Sequence, residues 1–382
     1  HDESVISSNF ATAGRIAFGA GRSSELLDVV ASLGRRPFLC TGSDASRYLS
    51  VYETLADYAT FAVAGEPTMD VVRAGAKAAR EHGADVVIGL GGGAVLDAAK
   101  VIAALVTNGG DPLDYAEVVG AGRPLRVASL PVVALPTTSG TGSEVTANGV
   151  VTSTEHRVKV SLRSTSMLPR VAIVDPELTL TCPPATTAHA GLDALVQCIE
   201  PFVSPFATPL TDGFCREGIR RAASGLQRAY HHPDDLDART DVSVCSLLSG
   251  LALANGKLGA AHGLAGPLGG FLGAPHGAIT ASVMVAVSEH NLAVLKASDD
   301  RQGLARYAEV GELLTGRREA AAFLGWFTDT AAELGVPGLA ALGLADADVD
   351  GIAVAATNAS SSKGNPVPMT PEAFAAVLRR SM

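Results

Sequence analysis

Hydrophobic positions follow two different patterns in the two halves of the chain. From about residue 10 to 180, short runs of β-branched residues alternate with alanine-rich stretches. This alternation is typical of β-α-β units around a parallel sheet. Residues 38–42, 85–90 and 132–136 are predicted to be buried strands, and residues 69–81 have the spacing of an amphipathic helix. The first half is therefore predicted to be a Rossmann-like α/β unit.

The strand pattern fades after residue 180, and helical periodicity rich in alanine and leucine dominates from residue 186 onwards. Pro183 and Pro184 lie at this change, and consecutive prolines stop a helix and stiffen a linker. We therefore predict an α/β domain over residues 1–182 and an all-helical domain over residues 183–382.

Composition limits the classes of partner. The chain has 382 residues, of which 47% are hydrophobic, enough for two cores. A net charge of −10 with scattered Lys and Arg argues against nucleic acid, so the expected partner is a small molecule. The five cysteines form no CxxC motif, which favours a reducing cytoplasm. We expect no signal peptide in the first residues and no apolar run of membrane-spanning length.

A run of three glycines follows the second predicted strand. Gly91, Gly92 and Gly93 lead into a helix through Ala94 and Asp97. Glycines at this place let backbone N–H groups approach a pyrophosphate, which the helix N-terminus also attracts. The alternative is a glycine turn that only joins strand to helix. The run is neither GxGxxG nor a Walker loop, so it does not indicate an ordinary Rossmann dehydrogenase or a P-loop NTPase.

A second polar loop follows the third predicted strand. Thr137, Thr138 and Thr141 lie at the carboxyl end of that strand, where α/β sheets bind ligands. We predict that they contact a nucleotide. Lys159 is a candidate phosphate contact, although a solvated surface lysine fits its sequence context equally well.

Three residues of the second half are candidates for binding a metal ion. His262 and His276 lie fourteen positions apart in an apolar, glycine-spaced region, and Asp193 lies upstream. One carboxylate and two neutral imidazoles suit a divalent ion such as Zn²⁺ or Fe²⁺. The competing interpretation is a pair of histidines satisfied within the core or on the surface.

These segments together resemble the iron-containing (group III) alcohol dehydrogenases. The matching motifs occur in the family's order and cover most of the chain: 91–100, 136–146, 175–176, 191–195, 209–212, the His262 segment and 365–366. The resemblance implies a dinucleotide-binding α/β domain and a helical metal-binding domain, arranged as in dehydroquinate synthase, and a homodimer.

The resemblance also implies roles for particular residues. Asn148 and Val150 are expected to line the substrate pocket, and Leu178 to contact the cofactor. The implied reaction is hydride transfer between a nicotinamide and a small aldehyde or ketone, assisted by the metal as a Lewis acid.

Two positions depart from the family pattern. Gln197 stands four residues after Asp193, where the family usually has a histidine. Residues four apart share a helix face, so Gln197 is a weaker fourth candidate ligand. Gly266 stands four residues after His262, where many relatives have another histidine. Its absence implies a larger cavity and leaves the proton donor unassigned.

Cofactor choice depends on the end of the first predicted strand. An acidic residue at this point favours NAD because it repels a 2′-phosphate. Here Gly42 leaves room for the phosphate and Ser43 offers a hydroxyl, so we predict NADP. Asp44 would restore a preference for NAD if the loop turned it inward.

Two other enzyme classes remain alternatives. The first is a metal-free reductase similar to the maleylacetate reductases, although these typically replace the aspartate that is retained here. The second is a cyclase or lyase similar to dehydroquinate synthase, in which NAD is reduced and reoxidised within one turnover.

Overall fold

A computed structural model describes residues 9–382 of the chain. The expectation about a signal peptide concerns residues outside this range. The first half contains a six-stranded sheet with every neighbouring pair parallel, in the order β1-β8-β5-β4-β2-β3. Strands β6 and β7 form a separate antiparallel hairpin. The strands are β1 (Arg15–Phe18), β2 (Pro37–Thr41), β3 (Ala59–Ala62), β4 (Val86–Gly91), β5 (Val132–Pro136), β6 (Asn148–Ser153), β7 (Val158–Arg163) and β8 (Val171–Val174).

Helices cover this sheet and build two apolar clusters against it. The three predicted strands are confirmed as β2, β4 and β5, each of which is buried throughout. The amphipathic helix is confirmed as α3. The helices of this half are α1 (Leu26–Leu33), α2 (Leu49–Tyr52), α3 (Met69–His82), α4 (Gly93–Asn108) and α5 (Pro112–Tyr115).

The second half is entirely helical in the structure, as predicted. Pro183 and Pro184 do not end a helix but begin one: Pro183 is the N-cap of α6 and Pro184 its first residue. Proline is favoured there because its missing N–H has no partner within the helix. The helices are α6 (Pro184–Val203), α7 (Pro209–His231), α8 (Leu236–Asn255), α9 (Ala260–Leu272), α10 (His276–Ala297), α11 (Arg301–Thr315), α12 (Ala320–Glu333), α13 (Val349–Asn358) and α14 (Pro371–Arg380).

The apolar composition of α10 corrects one expectation. This helix is long and apolar enough to cross a membrane, contrary to the prediction that no run reaches that length. Of its most apolar window, 67% is buried inside the protein, and α10 packs against α6 and α9. A core helix meets the same length and composition criteria.

The loop after β5 packs against the helical half. A Cβ built on Gly140 would lie 2.8 Å from the Ala190 Cβ in α6. A Cβ built on Gly142 would lie 2.4 Å from the Cα of Gly250 in α8. The loop backbone therefore packs directly on both helices. Because β2, β4 and β5 are parallel neighbours, their carboxyl ends meet at this same edge of the sheet.

Candidate active site

Three helices bring the predicted metal-binding residues together. Asp193 lies in the middle of α6, His262 is the third residue of α9, and His276 is the first residue of α10. One ligand atom from each lies within 4.8 Å of the other two. Asp193 Oδ1 is 3.6 Å from His262 Nε2 and 3.8 Å from His276 Nε2. Ligands of a tetrahedral ion with bonds of about 2.1 Å lie roughly 3.4 Å apart, so this spacing suits a small divalent cation.

The imidazole of His262 has one satisfied and one unsatisfied nitrogen. Nδ1 lies 2.7 Å from Glu200 Oε2. An ionised carboxylate only accepts, so Nδ1 is the donor. Nε2 is buried, has no hydrogen-bond partner among the described residues, and faces Asp193. A buried orphan nitrogen beside a carboxylate is what a metal ion would satisfy.

The charges of the site also suit a divalent cation. Asp193 and Glu200 are 2% and 3% exposed. Burial lowers the pKa of His262, but the charge and hydrogen bond of Glu200, together with Asp193, raise it above its ordinary value. Burial lowers the pKa of His276. Two buried carboxylates require compensating positive charge, and one divalent ion would supply it.

Neighbouring polar groups fix the other donors. Thr280 donates to Asp193 Oδ1 at 2.7 Å and is fully buried. The Gln197 amide nitrogen donates to the Thr141 carbonyl and to Ser249 Oγ, both at 2.9 Å. Gln197 therefore ties α6 to the loop after β5 and to α8. Its role as a metal ligand remains a prediction, now restricted to the amide oxygen.

The surroundings of the two histidines are open at one position and charged at another. A Cβ on Gly266 would meet no atom within 4 Å among residues 9–382, which agrees with the expected extra room. Lys159 in β7 pairs with Glu66 at 3.1 Å, and both charges act on the pKa of His276. Lys159 therefore lies near the proposed metal-binding residues, and its contact with a cofactor phosphate remains a prediction.

The glycine run after β4 begins α4 and packs against the loop after β5. A Cβ on Gly93 would lie 2.6 Å from Thr141 Oγ1, and one on Gly92 would lie 3.3 Å from Thr138 Oγ1. Gly92 is the N-cap of α4 and has no side chain to cap it. The first N–H groups of α4 thus lie beside threonine hydroxyls, an arrangement suited to a phosphate. Thr137 is buried, and its N–H bonds to the Gly91 carbonyl.

Asp97 in α4 forms hydrogen bonds with two neighbouring segments. Its carboxylate accepts hydrogen bonds from Ser143 Oγ at 2.5 Å and from the Val150 N–H at 3.1 Å. The buried Lys100 ammonium lies 3.4 Å from Asp97 and donates to the Ser143 carbonyl and Thr146 Oγ1. The loop after β5 and strand β6, which carries Val150, are therefore both fixed to α4.

Glu144 in the same loop gives a prediction about pH. Its side chain is 2% exposed, and burial raises its pKa from 4.5 to about 7, although Lys100 acts in the opposite direction. Because the folded pKa exceeds the unfolded one, the folded protein binds more protons between these values. The contribution of Glu144 to stability is therefore present below pH 4.5 and lost as the pH rises towards 7.

We expect Glu144→Gln to be more stable than the wild type at pH 8 by about 3 kcal/mol, and little different at pH 4.5. Urea unfolding midpoints at the two pH values measure this difference. The exposed Glu155→Gln variant is the control and should show no such dependence. An equal effect of Glu144→Gln at both pH values would show that burial does not perturb this carboxyl.

Gly42 follows β2 and Leu178 follows β8, and the carboxyl ends of these parallel strands lie at the same edge of the sheet. Asn148 begins β6, and the carbonyl of the buried Leu178 accepts from Tyr48 at 3.2 Å. A Cβ built on Gly42 would meet no atom of the described residues within 4 Å. Asp44 accepts from its neighbour Ser46 at 2.6 Å and is exposed.

Comparison with known proteins identifies the family. The model for iron-containing alcohol dehydrogenases matches residues 13–176, and the model for the C-terminal part of that family matches residues 187–382. The chain belongs to the iron-containing alcohol dehydrogenase family. As a member it is an oxidoreductase acting on alcohol groups, and the family uses NAD(H) and a divalent metal. The predicted family, fold class and enzyme class are confirmed.

Individual relatives are similar over different lengths. The 4-hydroxybutyrate dehydrogenase of Cupriavidus necator is 34% identical over 361 residues, 91% of this chain and 92% of that protein. Alcohol dehydrogenase 4 of Saccharomyces cerevisiae is 39% identical over 231 residues, and this match spans only 59% of its length. A solved 1,3-propanediol oxidoreductase superposes with a TM-score of 0.89 at 30% identity, over 99% of this chain and all of that one.

The candidate site contains polar residues that the sequence analysis does not identify. Glu200 was not singled out, although it lies seven residues after Asp193 and so on nearly the same face of α6. A heptad spacing from a proposed metal-binding carboxylate would have identified it. Glu66 and Thr280 carry no such signal, because their partners lie on elements distant in sequence.

Proposed function

We propose that the protein is a metal-dependent, NADP-preferring alcohol dehydrogenase that interconverts a small alcohol and its aldehyde or ketone. The observation that carries this proposal is the convergence of Asp193, His262 and His276, with a buried, unsatisfied Nε2 facing the carboxylate. Retention of all three donors favours this activity over a metal-free reductase. The extra space at Gly266 supports access of the substrate to the same point.

The two halves of the chain would bind different components of the reaction. When bound, a Zn²⁺ or Fe²⁺ ion supplies Lewis-acid chemistry, and the nicotinamide supplies or accepts the hydride. Asp193, His262 and His276 would hold the ion. Thr280 orients Asp193 through its hydroxyl. The N-terminus of α4 and the loop after β5 would bind the dinucleotide, and that loop packs on α6, the helix that carries Asp193.

The direct test combines metal analysis with an assay of protein purified without chelator. We expect one divalent ion per chain, and oxidation of NADPH by a short aldehyde that stops after treatment with a strong chelator. Adding back Zn²⁺ or Fe²⁺ should restore it. Activity that survives complete metal removal would support the metal-free alternative.

The end of β2 supports the preference for NADP. The position that we expect to discriminate between the cofactors is Gly42, which has open space around it among the described residues, and Ser43 beside it is exposed. Asp44 is engaged with Ser46 within its own turn. The chain therefore has no carboxylate at position 42 that would repel a 2′-phosphate.

Replacing Gly42 with aspartate is expected to reverse the cofactor preference. The new carboxylate would face the 2′-phosphate of NADPH but would accept hydrogen bonds from the ribose of NADH. We expect the ratio of the two dissociation constants to shift towards NADH by about 10–100-fold, which corresponds to about 1.4–2.7 kcal/mol. Fluorescence titration with each cofactor measures it.

Asp44→Asn is the matched control for this substitution and should leave the ratio within a factor of about two. A large gain in NADPH affinity in this control would show that Asp44, not Gly42, discriminates between the cofactors.

The substrate and assembly remain proposals. The names of two relatives include 4-hydroxybutyrate and 1,3-propanediol, both short molecules with a terminal hydroxyl. These names support a short primary alcohol here. The cytoplasmic location and the homodimer predicted from the sequence remain predictions.

A further inference from the structure

Behind His262, away from the other two donors, four buried polar side chains lie close together. They are Glu200, Asn291, Tyr307 and Asn365, and none is more than 8% exposed. They come from α6, α10, α11 and the segment before α14, so the sequence separates them by up to 165 positions. Polar groups buried at this depth require hydrogen-bond partners, and these partners include the metal-binding residue His262.

Both oxygens of Glu200 are used on the first turn of α9. Oε2 accepts the Nδ1–H of His262, and Oε1 accepts the backbone N–H of Ala261, both at 2.7 Å. Two bonds to adjacent residues fix the carboxylate relative to the imidazole. With the proton held on Nδ1, the lone pair of Nε2 is directed towards Asp193.

Gly259 permits this close approach. A Cβ at this position would lie 2.9 Å from Glu200 Oε1 and 3.2 Å from Asn365 Oδ1. The backbone angle φ of Gly259 is −123°, which any residue can adopt. The glycine is therefore required by packing against the two polar side chains and not by its backbone conformation.

Asn365 also forms a hydrogen bond with the first turn of α9. Its Oδ1 accepts the Ala260 N–H at 3.3 Å, and it exchanges hydrogen bonds of 2.8 and 3.1 Å with the amide of Asn291. Asn291 also donates to the Tyr307 hydroxyl at 2.9 Å. The start of α9 is thus held by a fully buried network anchored in two other helices.

We propose that Glu200 is a positioning residue for the metal site, which holds His262 in the tautomer that presents Nε2 to the ion. Asn365 supports it by holding the first turn of α9 against the carboxylate. This inference rests on the proposed metal site. An imidazole whose tautomer and ring orientation are already fixed binds a metal without the free-energy cost of ordering the ring. Loss of Glu200 should therefore weaken metal affinity.

The test measures Zn²⁺ affinity of metal-free protein by competition with a chromophoric chelator. Glu200→Gln keeps the shape of the side chain but can donate to Nδ1, which favours the wrong tautomer. We expect its affinity to be about 10–100-fold weaker than that of the wild type. Glu200→Asp, which keeps the charge, should recover part of the loss, and Asn365→Ala should fall between Glu200→Gln and the wild type.

Asp212→Asn is the matched control, since Asp212 is also a buried carboxylate of the helical half but pairs with Arg306 in α11. It should lower stability and leave Zn²⁺ affinity unchanged. A merely structural role for Glu200 would give the same result in Glu200→Gln. Equal Zn²⁺ affinity in the wild type and a folded Glu200→Gln would overturn this inference alone, whereas a wild type that binds no metal would overturn the proposed function as well.

A spectroscopic readout keeps the inference testable if Glu200→Gln fails to fold. In the Zn²⁺-loaded wild type labelled with ¹⁵N-histidine, the Nδ1 proton of His262 should appear at low field and exchange slowly, because it is buried in a hydrogen bond to a carboxylate. The resonance should move upfield in Glu200→Asp. Its absence from the wild type, with metal bound, would contradict the proposed role.

Discussion

Replacing Asp193 with asparagine is expected to reduce turnover by about 10³-fold and metal affinity by at least about 100-fold. Asparagine keeps the shape of the side chain and still accepts the hydrogen bond from Thr280. The substitution removes one of two buried negative charges that would balance a divalent ion. A buried charge without compensation costs several kcal/mol, so the ion would no longer be retained.

Cofactor affinity distinguishes loss of the metal ion from unfolding of the protein. Asp193 lies in α6, whereas the proposed dinucleotide contacts lie in the α/β half, so NADPH should bind to Asp193→Asn within about threefold of the wild type. The Asp212→Asn variant should retain its metal content. Metal analysis and steady-state kinetics measure the two losses. An Asp193→Asn enzyme that kept both metal and turnover would exclude this metal site.

Replacing Gly142 with alanine is expected to destabilise the protein by about 3–5 kcal/mol. Gly142 has a φ of 63°, and its Cβ would lie 2.4 Å from the Cα and 2.6 Å from the nitrogen of Gly250. Both atoms belong to the backbone of α8, so relief requires the helix or the loop to move. The same loop carries Thr141, and we therefore expect weaker cofactor binding as well.

Gly122→Ala isolates the backbone contribution. Gly122 has a φ of 58° but open space around it, so alanine should cost only about 1 kcal/mol for the left-handed conformation. The difference between the two variants, measured from urea unfolding midpoints, reports the packing of the loop on α8. Equal losses would mean that the contact between Gly142 and Gly250 relaxes freely.

The fold was predictable where hydrophobic runs were long and continuous. Strands β2, β4 and β5 are buried on both faces, so their sequences are uninterrupted apolar runs. Strands β1, β3 and β8 have only four residues each, too few for a clear periodic pattern. The β6–β7 hairpin alternates between buried and half-buried residues, a weaker pattern that was also missed.

The candidate metal site was predictable as a set of residue types but not as an arrangement. Asp193, His262 and His276 were chosen for their chemistry, and only the packing of α6, α9 and α10 brings their donor atoms within 4.8 Å. The position of Gln197 on the helix suggested a ligand. The structure shows its amide nitrogen bound to the loop after β5, because that loop packs closely on α6.

The sequence by itself determined the family, the division into a sheet-containing and a helical half, and the donor atoms available for a metal ion, because these depend on local periodicity and residue chemistry. Only the tertiary structure decided which imidazole nitrogen is free, which carboxylate holds the other, and how Asn365 supports α9. Those contacts join residues up to 105 positions apart, and chain packing alone determines which distant polar groups meet when they are buried.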